Sequence, residues 1–157
     1  MPNNSVYSSI VQFLNSSNTD FSEVHHPPCR TSEQSAEARG ESIEIGGKAI
    51  LLKCDDTFYL FVLSAAKKLD SKAIKKRLNL KKTRFATAEE LLELTGLVPG
   101  SVPPFGKPIL PFELFLDHSI TDNETIAFNA GSLTDSIILR VSDYLDLAKP
   151  EIFHFSE

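Results

Sequence analysis

The stretch GGKAILLKCDDTFYLFVL, residues 46–63, decides the fold prediction. Gly46-Gly47 marks a turn, and the apolar run from Lys48 to Lys53 that follows it is predicted to be a strand. Asp55-Asp56 predicts a tight turn before a second strand from Thr57 to Leu63. Both strands are too apolar for a sheet with one face in water, so we expect this sheet to be covered on both sides.

Helix signals and shorter strands flank this hairpin. Ser5 to Leu14 has the apolar spacing of a short amphipathic helix. Thr31 to Gln34 and Thr87 to Glu90 each match a capping box, which predicts helices that stop near Gly40 and Gly96. Further elements are predicted as helices at Ser71–Leu78 and about Ser142–Leu147, an extended segment at Val24–Pro28, and strands at Leu114–Leu116, Thr125–Phe128 and Ser136–Leu139. The fold class is therefore α+β, a single domain over residues 1–157 with a mixed, curved β-sheet and peripheral helices.

Composition excludes several classes of protein. Hydrophobic content of 41% and charged content of 24% are ordinary for a soluble globular chain, and no apolar run is long enough to span a bilayer. Met1 to Ser5 lacks the pattern of a secretory leader, so cytoplasm is the expected location and no membrane partner is expected. His25, His26 and Cys29 lie close together without a second ligand pair, so we expect no metal site and no cofactor.

Positive charge is concentrated in one segment of an acidic chain. The net charge is −5, yet nine of the sixteen Lys and Arg side chains lie between positions 67 and 84, where only Asp70 opposes them. We call this segment the basic ridge. Such a ridge suits a few phosphate contacts at one end of a polyanion, and it is equally typical of a solvated helix face.

Familiar catalytic signatures are absent from the sequence. There is no Gly-x-Ser-x-Gly elbow, no phosphate-binding loop of the Gly-x-x-x-x-Gly-Lys type and no dinucleotide fingerprint. Two features remain. If the first strand alternates, Lys48 shares an otherwise apolar face with Ile50 and Leu52, where a buried ammonium group needs an anion or an acceptor. The loop from Gly100 to Gly106 combines glycines that permit close approach with prolines that stiffen the backbone. Each feature also has a simpler interpretation, a solvated turn lysine and an ordinary connector.

Seven motifs follow one another along the chain. They are His26-Pro27-Pro28, Thr31 to Gly40, Lys48 to Lys53, Lys68-Leu69-Asp70, Ala88 to Leu91, Gly100 to Gly106 and Phe128 to Gly131. This ordered series resembles the YbaK / prolyl-tRNA-synthetase-associated (INS-like) editing-domain family. The resemblance covers about residues 20–150, and no single motif carries it.

The resemblance implies a function and a site. Family members are deacylases that hydrolyse the ester bond of mischarged tRNA, chiefly mischarged tRNA-Pro. Lys48 matches the functional lysine of the family. The Gly-x-x-x-Pro loop, which holds the aminoacyl end through backbone groups, matches Gly100, Ser101, Val102, Pro103 and Pro104. Asn129 and Gly131 match a pocket-lining Asn-x-Gly segment.

The same resemblance gives expected partners and leaves alternatives open. The expected partner is a mischarged tRNA, with an aminoacyl-tRNA synthetase as a second candidate. Within the basic ridge, the proposed tRNA contacts are Lys67, Lys68, Lys72, Lys75 and Lys76. A pocket histidine of some synthetase-embedded relatives has no clear counterpart, because the surroundings of His118 do not match. A non-catalytic adaptor that holds a tRNA 3′ end or a synthetase, and a hydrolase for other small acyl compounds, remain alternatives. Alanine, cysteine, serine and threonine are all candidates for the rejected amino acid.

Overall fold

A β-hairpin lies at the centre of the structure, as the sequence predicts. In the computed structural model, which describes residues 5–157, β2 (Gly47–Cys54) pairs antiparallel with β3 (Thr57–Ser64) in a register that places Lys48 opposite Leu63 and Lys53 opposite Phe58. The helices are α1 (Val6–Ser16), α2 (Ser32–Arg39), α3 (Ser71–Leu78), α4 (Ala88–Thr95), α5 (His118–Thr121) and α6 (Val141–Ala148). The strands are β1 (Phe21–His25), β2 (Gly47–Cys54), β3 (Thr57–Ser64), β4 (Thr83–Phe85), β5 (Leu114–Leu116), β6 (Thr125–Asn129), β7 (Asp135–Arg140) and β8 (Glu151–Ile152).

The eight strands form two sheets. The larger sheet has the order β4-β2-β3-β5-β8 and is mixed, because β3, β5 and β8 run parallel while β2 is antiparallel to both of its neighbours. The smaller sheet has the order β1-β7-β6 and is antiparallel, with Asn129 opposite Ser136. A single bridge between Gly46 and Ala127 joins the two sheets. The predicted α+β class is confirmed, and its strands are divided between two sheets.

Apolar side chains cover both faces of the larger sheet. On one face Leu51, Leu60 and Val62 belong to a cluster that also contains the buried residues of α1 and of the smaller sheet. On the other face Leu52 and Phe61 belong to a second cluster that includes residues of α3 and the C-terminal segment. Alternate side chains of β2 and β3 therefore pack into two different cores, which confirms the prediction of a sheet covered on both sides.

Capping chemistry explains where the helices begin and end. The predicted capping box at Thr87 is complete, because Thr87 Oγ1 accepts from Glu90 N–H and the Glu90 carboxylate accepts from Thr87 N–H. The box predicted at Thr31 is only half formed. Thr31 Oγ1 accepts from Gln34 N–H, but Gln34 Oε1 accepts from the N–H of Arg30 instead of Thr31. Both helices end at a glycine with positive φ, as predicted.

Three short elements were not predicted from the sequence. Strand β4 pairs with the end of β2, and β8 pairs with β5 over two residues. Helix α5 has four residues and begins after Asp117, whose carboxylate accepts from Ser119 N–H. Elements this short are stabilised by their neighbours and carry little periodicity of their own. Within residues 5–157, no helix is both long and apolar enough to cross a membrane. The leader and domain-boundary predictions at residues 1–4 lie outside the described part of the chain.

Candidate active site

A cavity of about 270 Å³ lies where α2, the start of β2, the Gly100 loop and the end of β6 meet. It brings together Lys48, Gly100, Val102 and Asn129, four of the residues predicted to form the site. The remaining lining residues are Arg30, Thr31, Ser32, Ser35, Ala36, Arg39, Ile43, Gly46, Gly47, Ala49, Ile50 and Ala65. Three of the lining residues are cationic and none is Asp or Glu, so the cavity favours a neutral or anionic group over a cationic one.

Lys48 is half-buried at the second position of β2. Its Nζ donates to the backbone carbonyl of Lys67 at 2.8 Å, which supplies the acceptor that an ammonium group on an apolar face requires. Burial lowers the pKa of Lys48 below its ordinary value, and the negative charge of Glu33 partly opposes this shift. Because Nζ has three N–H bonds and one is committed to Lys67, two remain for a ligand in the cavity.

Most backbone polar groups at the start of the Gly100 loop are already used by the protein. The Gly100 carbonyl accepts from Asn129 Nδ2 at 2.7 Å, and Ser101 N–H donates to the Val98 carbonyl at 3.1 Å. The Ser101 carbonyl accepts from Gly131 N–H at 2.9 Å. Within residues 5–157, the backbone N–H groups of Gly100 and Val102 have no protein acceptor. Both residues line the cavity, so these two N–H groups are candidate donors to a ligand.

The other predicted substrate-binding residues lie outside the cavity lining. They are Ser101, Pro103, Pro104 and Gly131. Ser101 is 2% exposed and its hydroxyl donates to the Val98 carbonyl at 2.8 Å. The Pro104 carbonyl accepts from the buried Tyr144 hydroxyl at 2.6 Å, and burial raises the pKa of that phenol. These residues hold the loop in place. Their expected contribution to substrate binding is therefore to fix the conformation of the loop backbone.

Asn129 connects the loop to α2 through buried hydrogen bonds. Its Nδ2 donates to Gly100 O and, at 3.4 Å, to Ser35 Oγ. Its Oδ1 accepts from Arg39 Nη2 at 3.0 Å and from Ser136 Oγ at 3.1 Å. Both ends of the amide are therefore paired, and the orientation of the Asn129 side chain is set by its partners.

Two residues of α2 that line the cavity, Ser35 and Arg39, were not predicted as site residues from the sequence. They are four positions apart, a spacing that places two side chains on the same face of a helix. This spacing in a predicted helix is the signal that could have identified them. Ser136, the third missed residue, lies opposite Asn129 across the β6–β7 pair, a register that the sequence did not specify.

Histidines lie outside the cavity. His26 is behind it, with Nε2 at 2.8 Å from Ser136 Oγ and Nδ1 at 2.9 Å from the Pro27 carbonyl. His118 is exposed at the start of α5. Cys29 and Cys54 are free and buried. No group of three or more His, Cys, Asp or Glu residues with metal-site geometry occurs in the described chain.

The basic ridge begins beside Lys48. The five predicted tRNA contacts occupy the turn after β3 and helix α3, and all except the half-buried Lys75 are exposed. Lys67 is the residue whose carbonyl accepts from Lys48 Nζ. At the other end of the ridge, the backbone N–H groups of Lys81 and Lys82 donate to the Asp55 carboxylate at the hairpin turn. The ridge therefore extends from the cavity to the opposite end of β2.

Comparison with known proteins identifies the family of the chain. Residues 26–147 match the aminoacyl-tRNA editing domain family. The chain belongs to this family. The editing domain is 32% identical over 152 residues to the multifunctional Ser/Thr-tRNA deacylase ProXp-y of Escherichia coli K12, an alignment that covers 93% of this chain and 90% of the relative. It is also 32% identical over 105 residues to a proline–tRNA ligase of Shouchella clausii, where the match covers 67% of this chain but only 18% of the ligase.

Solved structures share the fold of the editing domain. One, described as a candidate trans-editing enzyme for prolyl-tRNA synthetase, superposes with a TM-score of 0.83 at 23% identity and covers 97% of both chains. At this identity the likeness establishes the fold alone. It confirms the single-domain α+β architecture that the sequence predicts.

Proposed function

We propose that this editing domain is a trans-editing deacylase that hydrolyses the ester bond of mischarged tRNA. The observation that carries the proposal is the convergence of Lys48, Gly100, Val102 and Asn129 on one small cavity. Family membership and the deacylase name of the Escherichia coli relative support the same reaction class. The expected partner is the 3′ aminoacyl-adenosine end of a mischarged tRNA, and a synthetase that delivers it is a second proposed partner.

The chemistry needs few groups because an aminoacyl ester is already activated. Water attacks the ester carbonyl, the carbon–oxygen bond to the ribose breaks, and the proton from water is transferred to the ribose oxygen. The products are a free amino acid and a tRNA with an intact terminal ribose. The protein must fix the ester and stabilise the negative charge that develops on the carbonyl oxygen or lies on the terminal phosphate.

Lys48 is the proposed catalytic residue. Its Nζ carries positive charge at the cavity and has two N–H bonds that the protein does not use. The backbone N–H groups of Gly100 and Val102 supply neutral donors on the other side. The substrate-binding set remains Gly100, Ser101, Val102, Pro103, Pro104, Asn129 and Gly131, with the residues behind the cavity acting by fixing the loop.

Serine and threonine are the proposed rejected amino acids. A cavity of about 270 Å³ suits a small side chain beside the ester. Its lining includes the hydroxyls of Thr31, Ser32 and Ser35, which suit a small polar group better than a purely apolar one. The Escherichia coli relative acts on Ser/Thr-tRNA according to its name.

The proposal is tested by a deacylation panel in which tRNAs carry alanine, cysteine, serine, threonine or the correct amino acid. We expect Lys48→Met to lower kcat/KM by roughly 100- to 1000-fold, the effect of removing one charge-stabilising donor. Lys53→Met is the matched control, because Lys53 lies on the same strand and its ammonium group is near the Phe58 ring, outside the cavity lining.

Two outcomes would reject the proposal. Tight binding of charged tRNA without release of any amino acid would favour the adaptor function. Equal rates on charged tRNA and on a free aminoacyl ester would favour a general hydrolase for small acyl compounds. Full activity of Lys48→Met on every substrate that the wild-type protein cleaves would reject Lys48 as the catalytic residue.

A further inference from the structure

Arg39 is a half-buried cation without a carboxylate partner. It is the last residue of α2 and lines the cavity. No Asp or Glu within residues 5–157 forms a salt bridge with its guanidinium. Burial lowers the pKa of Arg39 to about 10, with Cys29 opposing this shift, so the group still carries its charge at neutral pH. A partly desolvated cation is costly to maintain, and its hydrogen-bond partners indicate what it does.

The guanidinium donates to two neutral side chains on neighbouring strands. Nε donates to Ser136 Oγ at 2.9 Å and Nη2 donates to Asn129 Oδ1 at 3.0 Å. Arginine has donors only, so this contact requires that the oxygen of the Asn129 amide faces α2. The Asn129 nitrogen is then directed to the Gly100 carbonyl, 2.7 Å away. The chain of donors therefore runs in one direction, from Arg39 through Asn129 to Gly100.

This direction matters because the Asn129 bond is one of two that hold the Gly100–Ser101 peptide, the other being Ser101 N–H to the Val98 carbonyl. Gly100 has φ of +90°, a conformation in which glycine is not restrained by a side chain. The Asn129 bond fixes its carbonyl, and the loop that follows carries the N–H of Val102 at the cavity. If the Asn129 amide turned over, its oxygen would face the Gly100 carbonyl and repel it. Arg39 is the charged group that prevents this.

We propose that Arg39 is a positioning residue of the editing site, which acts through Asn129 to fix the Gly100 peptide and the donors of its loop. The inference rests on the proposed deacylase function for its effect on rate. Its structural part, control of the loop by Arg39, is independent of any activity. Ser136 holds the guanidinium, and His26, 2.8 Å from Ser136, completes the support behind the cavity.

A double-mutant cycle tests the inference through rates. Arg39→Met and Asn129→Ala should each lower kcat roughly 100-fold, because the reacting groups are misplaced, with little change in KM for charged tRNA. The double variant should be no slower than Asn129→Ala, because Arg39 acts through that side chain. Arg39→Lys should not restore the rate, since one ammonium group cannot reproduce the two directed bonds. Arg140→Met, an exposed arginine on β7, is the matched control.

The cycle also has outcomes that overturn the inference. A further large loss of kcat in the double variant would mean that Arg39 contacts the substrate directly. Recovery in Arg39→Lys would mean that charge alone is required. A drop in thermal stability with unchanged kcat would mean that Arg39 is merely structural.

A second measurement uses the free protein and needs no activity. The side-chain amide signals of Asn129 and the backbone N–H signals of Gly100 and Val102 are followed by NMR in the wild type and in Arg39→Met. We expect shifted or broadened signals at these three residues in Arg39→Met and unchanged signals in Arg140→Met. Unchanged signals in both variants overturn the inference. If the wild type cleaves no charged tRNA but the signals respond, the proposed function fails and the control of the loop by Arg39 stands.

Discussion

At the scale of single residues, two of the three cations that line the cavity differ in their hydrogen-bond partners. Lys48 Nζ donates one of its three N–H bonds to a backbone carbonyl, which leaves two N–H bonds for a ligand in the cavity. Arg39 is held by two side chains, so its charge is fixed in direction. A flexible ammonium group suits a substrate group whose charge changes during reaction, whereas a planar guanidinium suits a fixed framework. This difference supports a catalytic assignment for Lys48 and a positioning assignment for Arg39.

Asp117 is the buried carboxylate on which stability should depend most visibly on pH. Its side chain is fully buried and accepts from Ser119 N–H at 2.9 Å and from Phe155 N–H at 2.6 Å. Burial raises the pKa of Asp117, but hydrogen bonds from Ser119, Phe155 and Ser156 outweigh it, and the net pKa is below the usual value. The ionised form is therefore stabilised by folding. Its contribution is complete above the unfolded-state pKa and is lost as pH falls through the lower folded-state pKa.

We predict that Asp117→Asn lowers the free energy of unfolding by about 2 kcal/mol at pH 7, because an amide nitrogen replaces an oxygen that accepts a buried N–H. The difference from wild type should shrink as pH is lowered below about 4, because the carboxylate of the unfolded chain is protonated there while the folded-state carboxylate, with its lower pKa, is still ionised. Urea denaturation at several pH values measures this. Asp122→Asn, an exposed change five residues further along, is the control. A difference that stays constant from pH 7 to pH 3 would contradict the assignment.

At the scale of elements, α2 determines the site while α4 is peripheral to it. Helix α2 carries Ser35 and Arg39 and begins at Thr31, whose hydroxyl accepts from Gln34 N–H at 3.1 Å. Helix α4 begins with an equivalent cap at Thr87, whose hydroxyl accepts from Glu90 N–H at 3.1 Å, and none of its residues lines the cavity. The two caps therefore have the same geometry and different consequences for function.

We expect Thr31→Ala and Thr87→Ala each to cost about 1 kcal/mol of unfolding free energy, the usual value of an N-cap. Only Thr31→Ala should lower kcat for deacylation, because Thr31 lines the cavity and fraying of α2 also displaces Arg39 and Ser35. Thr31→Ser keeps the capping hydroxyl and should restore both stability and rate. Thermal denaturation and single-turnover deacylation of all three variants provide the comparison. Equal loss of kcat in Thr31→Ala and Thr87→Ala would show that global stability, and not α2, controls the rate.

Elements with strong local signals were predictable from the sequence, and elements stabilised by distant partners were not. The hairpin of β2 and β3, the cap at Thr87 and the limits of α3 follow from local pattern. Strand β4 has three residues and is stabilised by pairing with β2. Strand β8 has two residues and is stabilised by pairing with β5. Gln34 illustrates the same limit within one turn of helix, since sequence alone did not distinguish Arg30 N–H from Thr31 N–H as its partner.

The residues of the candidate site divide in the same way, into those with a local sequence signal and those brought to the cavity by distant partners. Lys48, the Gly100 loop and Asn129 could be named because they lie in motifs that resemble a known family. Arg39 could not be connected to the site from the sequence, because its partner Ser136 is 97 positions away and the pairing of β6 with β7 is needed to bring Ser136 beside Asn129. Contacts of this kind depend on the register of strands, which the local pattern of residues did not specify here.

At the scale of the whole molecule, positive charge is concentrated in the basic ridge, which extends along β2 of the larger sheet. The chain carries a net charge of −5, yet the basic ridge runs from Lys67, beside the cavity, to Lys81 and Lys82, beside the hairpin turn. The two ends are separated by most of the length of β2, roughly 20 Å from Lys48 to Cys54. If the aminoacyl end of a tRNA occupies the cavity, as proposed, we expect its nearest phosphates at the Lys67 end. The two ends of the ridge should therefore contribute unequally to binding.

We predict that the double reversal Lys67→Glu and Lys68→Glu weakens binding of charged tRNA more than Lys81→Glu and Lys82→Glu, although both change the net charge equally. The slope of log affinity against log salt concentration should become shallower by about one for each phosphate group that the protein no longer neutralises, and mainly in the first variant. Filter binding at several salt concentrations measures both quantities. All four side chains are exposed, so folding should be preserved in each variant.

Equal weakening in the two variants would mean that the ridge acts only through overall charge. Unchanged affinity in both at low salt would mean that its lysines form a solvated surface without a role in tRNA binding.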